Sequence, residues 1–160
     1  MLKNVFLFAM LLGTFACVSS GPKMSAMQRR SIQTKMFEQT TYDNVFRAFK
    51  TVLQDEGYVI KNQDLQGGLI VAANEKAVSS WGAVFAGSNN NHKTGEGFEV
   101  SVNLEDLGKG NVETRLIIQK QESYSMGGKR GYQLDQPELY KNIYQKVVVE
   151  VNRRNMMGRK

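Results

Sequence analysis

The sequence has few of the residue types on which most enzyme active sites depend. It contains one cysteine and one histidine among 160 residues. A single cysteine excludes a disulfide framework, a cysteine-rich zinc site and an iron–sulfur cluster within the chain, and a single histidine excludes multi-histidine metal sites. Only two residues are proline, whereas 41% are hydrophobic and 22% charged. That balance is typical of a globular chain, not of a disordered or fibrous one.

The remaining candidates for chemistry lie in polar surroundings. His92 follows three asparagines in a polar stretch, and no nucleophile motif adjoins it. The acidic pairs Asp55-Glu56 and Glu105-Asp106 fall at a predicted helix end and a predicted turn, where acids are solvated routinely. No spacing matches a calcium-binding EF-hand or a dinucleotide-binding fingerprint. The sequence therefore predicts that the protein is not an enzyme and that it holds neither cofactor nor metal.

The N-terminal segment has the pattern of an exported protein. Lys3 precedes an apolar run, Val5–Phe15, which ends at the small residue Ala16. The run is too short to span a hydrocarbon core of about 30 Å, which needs about 20 residues. A basic start, a short apolar run and a small residue predict a signal peptide over residues 1–16.

Cys17, the sole cysteine, follows the predicted signal peptide at once. This arrangement resembles bacterial lipoproteins, in which the signal is cleaved before a cysteine whose thiol carries diacylglycerol. The resemblance implies that Cys17 is a lipid-attachment site bearing fatty chains such as palmitate, and that the protein is anchored to a membrane of the cell envelope. Val18 replaces the aspartate that marks inner-membrane retention in enterobacterial lipoproteins, which favours the outer membrane, facing the periplasm.

Two positions depart from the lipoprotein pattern. Thr14 stands where the family usually has leucine, and Phe15 stands where it usually has a small residue. An ordinary secretory signal with an incidental cysteine, or an uncleaved anchor, therefore remains an alternative.

Beyond the anchor, the sequence predicts a flexible tether over residues 17–30 and a single α+β domain over 31–160. Apolar residues recur every three or four positions in two segments and at alternate positions in others, which indicates two helices and about five strands. The predicted strands are Ser31–Phe37, Tyr58–Asn62, Leu69–Ala73, Phe98–Leu104 and Val112–Ile118; the helices begin near Thr41 and at Asp135, which is predicted to cap the second.

The predicted order is β-α-β-β-β-β-α. Short turns between consecutive strands favour a mostly antiparallel sheet with both helices on one face. This arrangement is similar to the helix-grip fold and to domains of the C-subunit lipoprotein of the bacterial β-barrel assembly machinery. The stretches Leu53–Ile60 and Gly68–Ala72 resemble a family of small uncharacterised bacterial lipoproteins.

A long loop is predicted over residues 75–97, and a second, mobile loop over Ser123–Gly131. The first contains the apolar residues Trp81, Val84 and Phe85. Loops of this length in compact domains are usually functional or disordered. The loop is interpreted either as a flap over the sheet edge or as an exposed element that contacts a partner or the membrane interface, where tryptophan is favoured.

The formal net charge is +6, with the basic residues spread along the chain. Because the chain is predicted to leave the cytoplasm, we expect attraction to anionic lipid headgroups or to a protein partner, and no nucleic-acid binding. The sequence thus predicts an envelope lipoprotein that acts as an accessory or scaffold subunit through protein contacts. A periplasmic module that binds a small molecule or lipid is the alternative.

Overall fold

The computed structural model of the chain describes residues 24–77, 93–124 and 128–158. Within these ranges the elements are α1 (Ala26–Gln33), β1 (Thr34–Phe37), α2 (Tyr42–Asp55), β2 (Val59–Asp64), β3 (Leu69–Ala77), β4 (Lys93–Gly108), β5 (Asn111–Tyr124), β6 (Lys129–Gln133) and α3 (Pro137–Met157). In this part of the chain, no helix has the length and apolar character needed to cross a membrane.

The strands form one antiparallel sheet in the order β1-β5-β4-β3-β2, and β6 also pairs with β5. The hairpin of β4 and β5 is its centre. Its ladder sets Val100 opposite Ile118 and Val102 opposite Leu116, so the apolar residues of both strands point to one face. The predicted α+β class and antiparallel sheet are confirmed.

The helices α2 and α3 pack on this apolar face. Periodicity predicts the buried row of α2 and, except for the partly buried Leu139, that of α3. The buried residues are Val45, Phe46, Phe49, Val52 and Leu53 on α2, and Tyr140, Ile143, Tyr144, Val147 and Val151 on α3. The rings of Phe37, Phe49 and Tyr144 meet with centroids 6.0–6.4 Å apart. Each such side chain contributes about 1.5–3 kcal/mol on burial, so these rows hold both helices to the sheet.

The start of the domain differs from the prediction. Residues 26–33 are helical, although 26–30 are predicted to be tether and Ser31–Gln33 to be strand. The reason is a capping box: the Ser25 hydroxyl accepts from the Gln28 amide, and the Gln28 side chain accepts from the Ser25 amide. The strand begins only at Thr34.

Two predicted loops are shorter in the structure. The ladder between β3 and β4 continues to Ala77 opposite Gly95, so the ends of the predicted 75–97 loop are strand. The predicted loop Ser123–Gly131 gives way to β6, which pairs with β5 as far as Ser123 opposite Lys129. In β6, four of the five residues are exposed, so this strand gains backbone hydrogen bonds from β5 without an apolar alternation that could predict it.

Candidate functional site

The sequence-predicted contact residues lie outside the described ranges. These are Cys17, Trp81, Val84 and Phe85, and His92 lies there also. Their predicted roles stay predictions. The segment 78–92 that contains the last four joins the end of β3 to the start of β4, so the surface around those two strand ends is the one that adjoins it in the chain.

The acidic pairs have ordinary structural partners. Glu56 accepts a hydrogen bond from Lys146 Nζ at 2.6 Å, which links the end of α2 to α3. Asp106 accepts from the amide of Gly108 at 2.8 Å and so stabilises the turn between β4 and β5. Among the described residues, no group of three or more histidine, cysteine or acidic side chains could hold a metal ion.

At the end of the sheet that carries β6, most residues of β5 and β6 are partly buried or exposed. The register of β4, β5 and β6 sets Phe98 beside Lys120 and Tyr132, and Glu96 beside Glu122 and Arg130. Since Lys120 and Glu122 follow the buried Ile118 at alternate positions, this surface continues the apolar face of the sheet. We call it the aromatic patch, formed by Phe98, Lys120, Glu122, Tyr124, Arg130 and Tyr132.

Glu122 is the centre of the aromatic patch. Its carboxylate accepts hydrogen bonds from Tyr124 Oη at 3.0 Å and from Tyr132 Oη at 3.2 Å. Lys120 Nζ lies 3.6 Å from the same carboxylate, and the Arg130 guanidinium lies 5.4 Å from the centre of the Tyr124 ring. These contacts fix the orientation of two aromatic rings, so less side-chain entropy is lost when a partner binds them.

Two rings of the patch are open to solvent. Phe98 is 40% exposed and Tyr132 is 46% exposed. The strict alternation of Phe98 with Val100 and Val102 predicts burial for Phe98, but Leu139 and Ile143 of α3, which line a cavity with it, leave it partly exposed. Tyr124, Arg130 and Tyr132 fall in the stretch predicted as loop or left unassigned, and only the alternation of Arg130 and Tyr132 about Gly131 could have indicated a strand.

A small cavity adjoins the patch where α2, α3 and the sheet meet. It has a volume of about 120 Å³ and is lined by Glu56, Tyr58, Phe98, Ile118, Leu139, Asn142 and Ile143. Pockets for drug-sized ligands usually measure about 300–1,000 Å³, so this cavity suits a single inserted side chain better. Burial, reinforced by the charge of Glu56, raises the pKa of Tyr58 above its ordinary value of 10.0.

The space beneath α3 is filled with side chains. Tyr140, Tyr144 and Val147 are each buried against the sheet. The Tyr140 hydroxyl donates to the carbonyl of Leu134 at 2.7 Å. In the described part of the chain this leaves the surface, rather than the interior beneath α3, as the place for recognition.

Comparisons with known proteins identify no function for the chain. No protein-family model matches the chain, and no curated protein matches it in sequence. Among solved structures, the chain is similar to a DUF4468 family protein from Bacteroides ovatus, which belongs to an uncharacterised bacterial family. The two share 11% identity over 84% of this chain and 91% of that one, with a TM-score of 0.41. A likeness this distant carries no argument about activity.

Proposed function

We propose that the protein is a lipid-anchored lipoprotein of the bacterial cell envelope, held at the outer membrane and facing the periplasm. It serves there as an accessory or scaffold subunit of an envelope complex through protein–protein contacts. It performs no reaction of its own. Membership of the small uncharacterised lipoprotein family that the sequence resembles is part of this proposal.

The observation that carries the proposal is the exposure of Phe98 and Tyr132 on an ordered platform around Glu122. Aromatic residues and arginine are enriched in protein interfaces and contribute most of their binding energy. The adjoining cavity of about 120 Å³ can receive one apolar side chain of a partner. Trp81, Val84 and Phe85, in the segment between β3 and β4, remain candidate contacts for the same partner.

The alternative, a periplasmic module that binds a small molecule or lipid, needs room between the long helix and the sheet. Tyr144 and Val147 occupy that space, with exposures of 6% and 0%. This packing favours the accessory-subunit proposal over ligand binding beneath α3.

A pull-down from native membranes tests the protein contact. We expect Phe98→Ala combined with Tyr132→Ala to lower partner recovery at least tenfold, because one interface hot spot contributes about 2 kcal/mol or more. The matched control is Met36→Ala combined with Val59→Ala. These residues are 41% and 61% exposed and lie on the opposite sheet face. Recovery of the protein alone, or equal recovery with both double variants, would contradict the proposal.

Mass spectrometry of the N-terminus tests the anchor separately. We expect the mature chain to begin at Cys17 and to carry at least two acyl chains there, because stable anchoring needs at least two lipid chains or a chain with a second signal. A chain that begins at Met1 and has a free thiol would contradict this part of the proposal.

A further inference from the structure

A second surface, distinct from the aromatic patch, lies along the edge of the sheet formed by β1. It is a groove of about 660 Å³ between α1, β1 and α3. Its apolar lining comes mainly from Ile32, Pro137, Val148 and Val149, and its charged lining comes from Lys35 and Lys141. Val149 is 69% exposed, which is unusual for a valine in the middle of a helix that packs on a sheet.

The charge in the groove is positive. No aspartate or glutamate lines it, and Lys35 forms no ion pair with the residues that the structure describes. Lys141 lies 3.7 Å from Glu138, but both side chains are more than half exposed, so this pair is weak. The groove therefore offers two cations beside an apolar surface.

The position of the groove along the chain places it close to the proposed anchor. Ser31, in its lining, is six positions beyond Ser25 in a helical stretch, which is about 9 Å. The segment from Cys17 to Met24 can extend over at most about 25 Å. A chain fixed at Cys17 would thus keep the groove within a few nanometres of the bilayer, where the effective concentration of headgroups is high.

We propose that this groove binds an anionic phospholipid of the membrane that holds the anchor. Lys35 and Lys141 contact the phosphate, and the apolar lining contacts the glycerol and the first methylenes of an acyl chain. The inference rests on the proposed function for one point, the anchor at Cys17. A bound lipid would orient the domain, since a lipid anchor by itself leaves it free to rotate about the tether.

The test uses the predicted mature chain, residues 17–160, with Cys17→Ala, and two kinds of vesicle, one of phosphatidylcholine alone and one that also contains phosphatidylglycerol. In both kinds the lipids carry a photoactivatable acyl chain. Cross-linked peptides are identified by mass spectrometry. We expect cross-links on residues 31–35 and 137–149, only in vesicles that contain phosphatidylglycerol. Each lysine at an anionic surface contributes about 1 kcal/mol, or roughly fivefold in affinity, so Lys35→Glu with Lys141→Glu should weaken binding about 25-fold or more.

The matched control is Lys50→Glu with Lys61→Glu, which makes the same change in net charge on α2 and on the opposite edge strand β2. This pair should retain the cross-links. Cross-links spread over the whole surface, equal weakening by both double variants, or equal cross-linking at the groove in vesicles of phosphatidylcholine alone would overturn the inference. Because Cys17 is already replaced, these results do not depend on acylation, and an unacylated native Cys17 would overturn the anchor alone.

Discussion

At the scale of single residues, the Tyr144 hydroxyl joins α3 to the last residue of α1. It donates to the carbonyl of Gln33, and the residue is only 6% exposed. We expect Tyr144→Phe to lower the free energy of unfolding by about 1–2 kcal/mol, because the carbonyl loses a buried donor while the ring contacts with Phe37 and Phe49 remain. Urea denaturation at pH 8 measures the change.

The same hydroxyl makes stability depend on pH. Burial raises the pKa of Tyr144 to about 12 from an ordinary value of 10.0. The folded state therefore favours the protonated hydroxyl, and its contribution is complete below pH 10 and is lost as the pH rises from 10 towards 12. Phenylalanine cannot ionise, so the stability difference between the wild type and Tyr144→Phe should narrow between pH 8 and pH 11.5. A difference that stays constant, or a similar narrowing with the exposed control Tyr132→Phe, would contradict this.

Substitutions at two glycines distinguish two sources of lost stability: a positive φ that alanine adopts poorly, and a steric clash between the new Cβ and neighbouring atoms. Gly68 and Gly108 both have positive φ, at 69° and 77°. A Cβ on Gly68 would overlap the Leu104 carbonyl oxygen and the Tyr42 hydroxyl, whereas a Cβ on Gly108 meets nothing within 4 Å. We expect Gly108→Ala to cost about 1 kcal/mol and Gly68→Ala to cost several times more in thermal or urea unfolding. Equal losses would show that the strand contact at Gly68 relaxes freely.

The aromatic patch shows the limit of single-residue prediction. Apolar alternation predicts the face on which Phe98 lies, and that prediction is confirmed by its register with Lys120. Its 40% exposure depends on how far other elements cover it, such as Leu139 and Ile143 of α3, which are distant from β4 in the sequence. A pattern within one strand contains no information about that distance.

At the scale of elements, the periodicity of apolar residues predicts the helices and strands that bury one face in the core. It does not predict the elements that bury no such face. The helices α2 and α3 and the two hairpins are predicted because their apolar residues contact the core. In β6, four of the five residues are exposed, and α1 buries only Gln33, so neither has a strong apolar period. The capping box at Ser25 and Gln28 is the one local signal by which α1 could have been predicted.

The helix α1 is attached to the rest of the domain by an ion pair of Asp135, a residue for which the sequence predicts a different role. Asp135 is predicted to cap α3, but the N-cap is Gln136, without a side-chain hydrogen bond. Asp135 instead accepts three hydrogen bonds of 2.7–2.9 Å from the Arg29 guanidinium. We expect Asp135→Asn to raise hydrogen exchange of the α1 amides several-fold and to leave α2 unchanged, since α2 has its own buried row.

This contact should also respond to acid. The hydrogen bonds from Arg29 hold the pKa of Asp135 below its ordinary value of 3.8. The pairing is therefore complete above about pH 4 and is lost as the pH falls through the lowered pKa, so exchange in α1 should rise before exchange in the core. The control is Asp43→Asn, which removes an exposed i,i+4 pair with Arg47 on α2. If this control also raised exchange in α1, the change would not come from the Arg29–Asp135 contact.

At the scale of the whole molecule, the class of fold follows from local patterns, but the sites follow from the register between distant strands. The aromatic patch combines residues from β4, β5 and β6, and the groove combines α1, β1 and α3. No single segment predicts either combination. For the same reason, the two proposed surfaces can be changed separately, since they share no residue.

The topology predicts the order in which the sheet forms. The strands β4 and β5 are joined by a turn of two residues, whereas β1 reaches β5 across a separation of 79 positions between Lys35 and Thr114. Closing a long loop costs more entropy, so the central hairpin should be formed in the folding transition state and β1 should join later. Val102→Ala should then mainly slow folding, and Phe37→Leu should mainly accelerate unfolding.

Stopped-flow refolding and unfolding in urea measures both effects. Val102 and Phe37 are both buried, at 0% and 5% exposure, so each substitution should lower the free energy of unfolding by about 1 kcal/mol or more. A change of this size is large enough to compare with the change in the activation free energy of folding as a ratio. We expect a ratio above about one half for Val102→Ala and near zero for Phe37→Leu. A high ratio for Phe37→Leu would mean that β1 pairs with β5 early, and that contacts between distant segments, rather than the local hairpin, organise the sheet.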